Sequence, residues 1–157
     1  MISVDKIEVT LTVPSIEETA AWYERVLGWH GHYDVFDAQG RCLFGSVMAG
    51  DIERVMRGEE TFKGFNLSRL PEAPEAYSRG CAHCSALIFV DDVDAAYARV
   101  VEGGGRPDSA PENQFWGGRV FSMRDLNGFG LTFVQQVESV TLEEARRRHQ
   151  DALTKPR

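Results

Sequence analysis

The sequence predicts an α+β fold: paired βαβββ modules forming a curled, cup-like mixed sheet, with a short C-terminal helix. Three observations carry this expectation. The chain nearly repeats itself at an offset of 77 residues, since Val13-Pro14-Ser15-Ile16-Glu17 returns as Val90-Asp91-Asp92-Val93-Asp94 (90 − 13 = 77), Gly28 as Gly105 and Phe44 as Phe121. Each copy reads as strand, capped helix, glycine and then a meander of strands. Two copies are too few to stack as a solenoid, so the expected product is two modules closing around a shared cleft.

Taken in order, Ile7 to Val13 sets Glu8, Thr10 and Thr12 on one face and Ile7, Val9, Leu11 and Val13 on the other. That period of two marks a half-buried strand. Ser15-Ile16-Glu17-Glu18 is a capping box that opens a helix, with Ile16, Ala20, Tyr23 and Leu27 as its apolar stripe and Gly28 as its left-handed stop. Trp29 to Gly50 reads as two strands around the Ala38-Gln39-Gly40 turn, and a shorter strand is expected within Asp51 to Arg57. Glu59 to Gly80, with Pro71 and Pro74, reads as a long connection of the kind that serves lids and partner contacts.

The second module opens on a strand from Cys84 to Val90. Asp92 caps a helix from Val93 to Glu102, which Gly103-Gly104-Gly105 ends. Arg119 to Met123 and Gly130 to Gln135 form a hairpin around Leu126-Asn127-Gly128, an Asn-Gly turn signal. Thr141-Leu142-Glu143-Glu144 caps a terminal helix. The expected organisation is one domain, 1–157, with a first module at 5–58, a connection at 59–80, a second module at 81–137 and the C-terminal helix at 141–153.

Composition narrows the function classes. The chain has 157 residues, is 43% hydrophobic and 26% charged, and carries a net charge of −7. One compact core is within reach of that length. The acidic balance argues against nucleic acid as a partner, and no apolar run is long enough to span a bilayer. Three cysteines and no basic-then-apolar start point to reduced thiols and a cytoplasmic location.

Several local patterns have simple explanations. Cys81-Ala82-His83-Cys84 is a C-x-x-C without a second pair, leading into a strand rather than the helix of a thiol-disulfide enzyme. Gly103-Gly104-Gly105 ends a helix and so cannot cradle phosphate at a helix start. His30 and His32 share a face but lack a partner at clear spacing. Arg146-Arg147-Arg148 suits the C-terminal half of a solvated helix.

The repeat, with Trp22-Tyr23 and Leu27-Gly28-Trp29 in the first copy and Phe115-Trp116-Gly117, Arg119-Val120-Phe121 and Asp125-Leu126-Asn127-Gly128 in the second, resembles the vicinal oxygen chelate superfamily. That superfamily includes glyoxalase I, extradiol dioxygenases, fosfomycin resistance enzymes and bleomycin resistance proteins. The resemblance covers roughly residues 5 to 136 and implies a cup in each half and a homodimer. It also implies a divalent metal held by His, Glu or Gln on the first and last strands of the modules. Counting along the repeat puts those positions at Glu8, Val55, Ser85 and Thr132 (8 + 77 = 85; 132 − 77 = 55), where only Glu8 is a strong ligand. A register slipped by two residues would instead gather Glu8, Glu53 and His83.

The expected function is therefore that of a glyoxalase/bleomycin-resistance-like protein binding a small, aromatic molecule in its cup, with no cofactor. The ligand-binding candidates are Glu8, Thr10, Phe44, Ser85, Phe89, Trp116, Arg119, Phe121 and Thr132. Glu8 is the polar anchor, because a carboxylate amid apolar walls needs a partner, and Arg119 is its expected counter-charge. One alternative is a lyase, isomerase or dioxygenase with a divalent metal at Glu8, Glu53 and His83. Another is a regulatory or interaction protein whose cup is filled by its own side chains. Whether any reaction is catalysed stays open at this level, and no catalytic residue is assigned.

Overall fold

The computed structural model describes residues 8–70 and 85–154. The fold is α+β, with two four-stranded mixed sheets and four helices among these residues. Neither sheet closes on itself. The chain divides into two compact units, with the boundary between Cys81 and Ala82.

In the first unit, β1 (Thr10–Val13) leads into α1 (Ile16–Leu27), followed by β2 (His30–Phe36), β3 (Cys42–Met48), α2 (Ile52–Met56) and β4 (Gly64–Arg69). The strand order is β1-β4-β3-β2, with β1 and β4 parallel and the other pairs antiparallel. The Ser15 hydroxyl accepts the Glu18 amide at the start of α1, and Gly28 ends the helix at φ 72°. Ile16, Ala20, Tyr23 and Val26 on α1, with Leu11, Val13, Phe65 and Leu67 beneath, form the buried core. Tyr23, Trp29 and Phe65 pack ring on ring within it.

The second unit repeats this plan with β5 (Ser85–Phe89), α3 (Val93–Glu102), β6 (Glu112–Asn113), β7 (Gly118–Arg124) and β8 (Gly130–Gln136), in the order β5-β8-β7-β6. Asp92 caps α3 through the Ala95 amide at 2.9 Å. Phe121, Met123, Leu131 and Phe133 are buried with Val93 and Val100 of α3. α4 (Leu142–Thr154) follows, with the Thr141 hydroxyl accepting the Glu144 amide at 3.2 Å. No described helix is long and apolar enough to cross a membrane.

Three elements depart from expectation. Asp51 to Arg57 holds the short helix α2 rather than a strand, its first turn capped by Asp51. The last strand of the first unit is β4, inside the stretch read as the connection. The first strand of the second meander, β6, is two residues long, against seven in its counterpart β2, and is too short for an alternation to show.

Candidate functional site

Each sheet has one face under its helix and a far face turned away from it. Strand pairing fixes which residues share the far face, because side chains alternate. In the first unit Thr10 pairs with Asn66, Asn66 with Ser46, and Ser46 with His32, so four polar side chains form one row across the sheet. Glu8 joins this row, its Oε2 accepting from Asn66 Nδ2 at 2.9 Å. At the other end His32 Nε2 lies 2.9 Å from Asp34 Oδ1. The next row holds Thr12, Ser68 and Phe44.

The far face of the second unit differs in chemistry. Leu87 pairs with Thr132 and Thr132 with Ser122, and the two hydroxyls lie 2.9 Å apart. Beside this row run Phe89, Val134 and Val120. Leu87 and Phe89 are 65% and 70% exposed on the edge strand. Ser85 is exposed at the start of the same strand. Trp116 belongs to this face too: a Cβ at Gly118, which would project here, would lie 1.9 Å from the indole ring.

Two candidates lie elsewhere. Phe121 is only 1% exposed, stacked on Phe133 and edge-on to Tyr97 of α3. Arg119 is on the same helix-facing side, donating to both carboxylate oxygens of Asp94 at 2.8 and 2.9 Å and to Asn113 at 3.1 Å. The guanidinium beside Asp94 holds that carboxyl below the usual range. Within its own unit Glu8 is bonded to Asn66, and Arg119 within its own to Asp94.

The cause is a drift of the repeat. The cap offset is 77 (92 − 15), but strand pairing puts Ser46 over Ser122, an offset of 76, and Asn66 over Thr132, an offset of 66. A one-residue slip turns every side chain to the other face. Phe44 thus corresponds to Val120, and Phe121 to Gly45. Asp94 keeps the full offset from Glu17 (94 − 17 = 77), and Glu17 also grips an arginine, Arg69 of β4. Burial works to raise the Glu17 carboxyl, but the Cys42 amide, its own amide and Arg69 outweigh it and hold it low. Both acids tie the first turn of a helix to its sheet.

The same drift relocates the implied metal positions. Val55 and Glu53 lie on α2, where Glu53 is 3.7 Å from Arg57, and the position matching Thr132 is Asn66. The donors at the four positions are then a carboxylate, an amide and two hydroxyls, with Glu8 bonded to Asn66 and Thr132 to Ser122. This set does not fit a catalytic divalent ion, which draws on imidazole, thiolate or several carboxylates. No group of three His, Cys, Asp or Glu side chains among the described residues has metal-binding geometry. His83, Cys81 and Cys84 lie outside the described residues.

The sequence model of the glyoxalase/bleomycin resistance protein/dioxygenase superfamily matches residues 6–133. The chain belongs to this superfamily. Among solved structures it is similar to a glyoxalase-related enzyme from Clostridium phytofermentans, at 23% identity and a TM-score of 0.69, covering 87% of this chain and 98% of that one. A bleomycin resistance determinant encoded on transposon Tn5 is 24% identical with a TM-score of 0.59, over 85% and 98% of the two chains. TioX from Micromonospora sp. ML1 is 20% identical with a TM-score of 0.60, over 85% and 99%. At such identities the likeness is one of fold. No curated protein matches the chain.

Asn66, Ser46, Ser122 and the His32–Asp34 pair escaped the sequence reading. Phe65 and Leu67 alternating with Asn66 and Ser68 was the available signal for β4. A fixed offset of 77 falls on Asp51–Arg57 instead.

Proposed function

We propose that this protein binds a small, partly aromatic molecule on the far face of a sheet, without a resident catalytic metal. The observation that carries this reading is the second sheet, where Leu87 and Phe89 are presented to solvent beside the Ser122–Thr132 hydroxyl pair. Apolar surface with a few placed polar groups is what small-molecule recognition uses. Exposed large side chains on an edge strand are otherwise a liability that soluble proteins avoid. Thr10, Asn66 and Glu8 supply a polar surface on the first sheet for donor groups, and Phe44 flanks it. The fold alone hosts both enzymes and resistance proteins, so the reading leans on the donor set, which supports binding without a metal.

The protein is further proposed to be a homodimer. Val35 and Phe36 of β2 and Leu43 of β3 are exposed around one hairpin and suit burial against a second copy. The proposed compartment is the cytoplasm, consistent with the acidic composition and the free Cys42 thiol.

A thermal-shift screen of aromatic small molecules, run with a chelator and again with added divalent metals, tests the function. Hits should raise the melting temperature equally in both arms. For a hit carrying a cationic or donor group, Glu8→Gln should weaken binding by about 1.5–3 kcal/mol, the scale of a hydrogen bond to a charged group. Stabilisation that appears only with metal would replace this reading with the metal-dependent one.

A further inference from the structure

The segment matching the superfamily ends at residue 133, and α4 begins at Leu142, beyond it. This helix is nevertheless built into the surroundings of Trp116. Arg148 of α4 donates through both terminal nitrogens to Glu138, at 2.7 and 2.8 Å, a two-pronged contact of fixed geometry. The Glu138 amide and its neighbour Val137 both donate to the Gly117 carbonyl at 3.0 Å. Gln136 Nε2 bridges the Glu138 carbonyl at 2.7 Å and the Trp116 carbonyl at 3.4 Å. Along the other flank the His149 ring lies against Phe115, centroids 4.8 Å apart. Ala145 is buried where the helix docks.

Two adjacent glycines make this arrangement possible. Gly117 has φ 88°, and a Cβ there would lie 2.3 Å from the Glu138 carbonyl. At Gly118 a Cβ would occupy the space of the Trp116 ring. The chain thus brings Glu138 against one glycine and the indole against the other. Residues on both sides of Trp116, Phe115 and Gly117, are held by α4 or by the residue α4 grips.

We propose that α4 is the positioning element for Trp116. Through Arg148–Glu138 and His149–Phe115 it holds the indole across Gly118, on the far face of the second sheet. The chemical class this favours is a flat, apolar ring system packing beside Phe89. The inference rests on the preceding reading for its ligand, but not for its geometry.

Incorporating 5-fluorotryptophan gives one fluorine reporter at each of the three tryptophans, and Trp116→Phe identifies the signal of Trp116. In the ligand-free Arg148→Ala/His149→Ala protein the Trp116 signal should shift, while Trp22 and Trp29 in the first unit keep theirs. Arg148→Lys with His149 intact should restore much of the original position. An unmoved Trp116 signal in the double variant overturns the proposal. So does a collapse of all three signals, since α4 would then hold the fold rather than the tryptophan. With 8-anilinonaphthalene-1-sulfonate as the probe, affinity in the double variant should fall roughly fivefold, the scale of one aromatic contact. A wild-type protein that ignores the dye counts against the binding reading, whereas the fluorine shift decides the role of α4.

Discussion

Phe121 and Phe89 show how much a single residue's face decides. Both are aromatic residues on second-unit strands, yet Phe121 stacks on Phe133 under α3 while Phe89 stands in solvent. Truncating a buried phenylalanine removes its transfer free energy and leaves a cavity, so Phe121→Ala should cost about 3–5 kcal/mol. Phe89→Ala should stay within about 0.5 kcal/mol, as surface changes do. Urea unfolding of the two variants measures this directly, and equal losses would mean the faces are wrongly assigned. The sequence allowed Glu8 and Thr10 to be placed on the correct face because alternation in the first strand is unbroken. Arg119 and Phe121 were misplaced because no residue near them reports the one-position drift between the copies.

At the scale of elements, α1, α3 and α4 were legible almost to the residue, since Ser15, Asp92 and Thr141 each carry a cap signal that acts locally. β1, β3, β5 and the β7–β8 hairpin were also readable, from alternation and the Asn-Gly turn. β4 was not. Strand pairing with β1 and β3 fixes it, and such long-range pairing leaves no mark at a fixed spacing. The inserted α2 stretches the first unit by the ten residues that separate offsets of 76 and 66. Hydrogen exchange should show this: Asn66 donates to Val9 and Leu70 to Val13, each at 3.0 Å, so these amides should exchange slowly. Those of the single-turn α2 should exchange fast, because short helices fray. Slower exchange at 52–57 than at 64–70 would contradict the assignment of β4.

For the whole molecule, the repeat pointed to the superfamily, and the superfamily to the kinds of chemistry available. It did not point to a substrate, because function rests on particular side chains rather than on the fold. The donor set at the implied metal positions needed the register before it could be read, since Asn66 rather than Val55 is the partner of Glu8. The exposed β2–β3 hairpin leads to a second expectation at this scale. Sedimentation at micromolar concentration should give a dimer, and Phe36→Asp should shift it toward monomer; a wild-type monomer would remove the homodimer from the account. The most direct test of the central claim is amide chemical-shift mapping of the chelator-treated protein, titrated with an aromatic hit from the thermal screen. The account predicts saturable shifts centred on Leu87, Phe89 and Thr132. Shifts confined to helix-facing residues such as Phe121 and Phe133, or shifts that arise only after a divalent metal is restored, would contradict it.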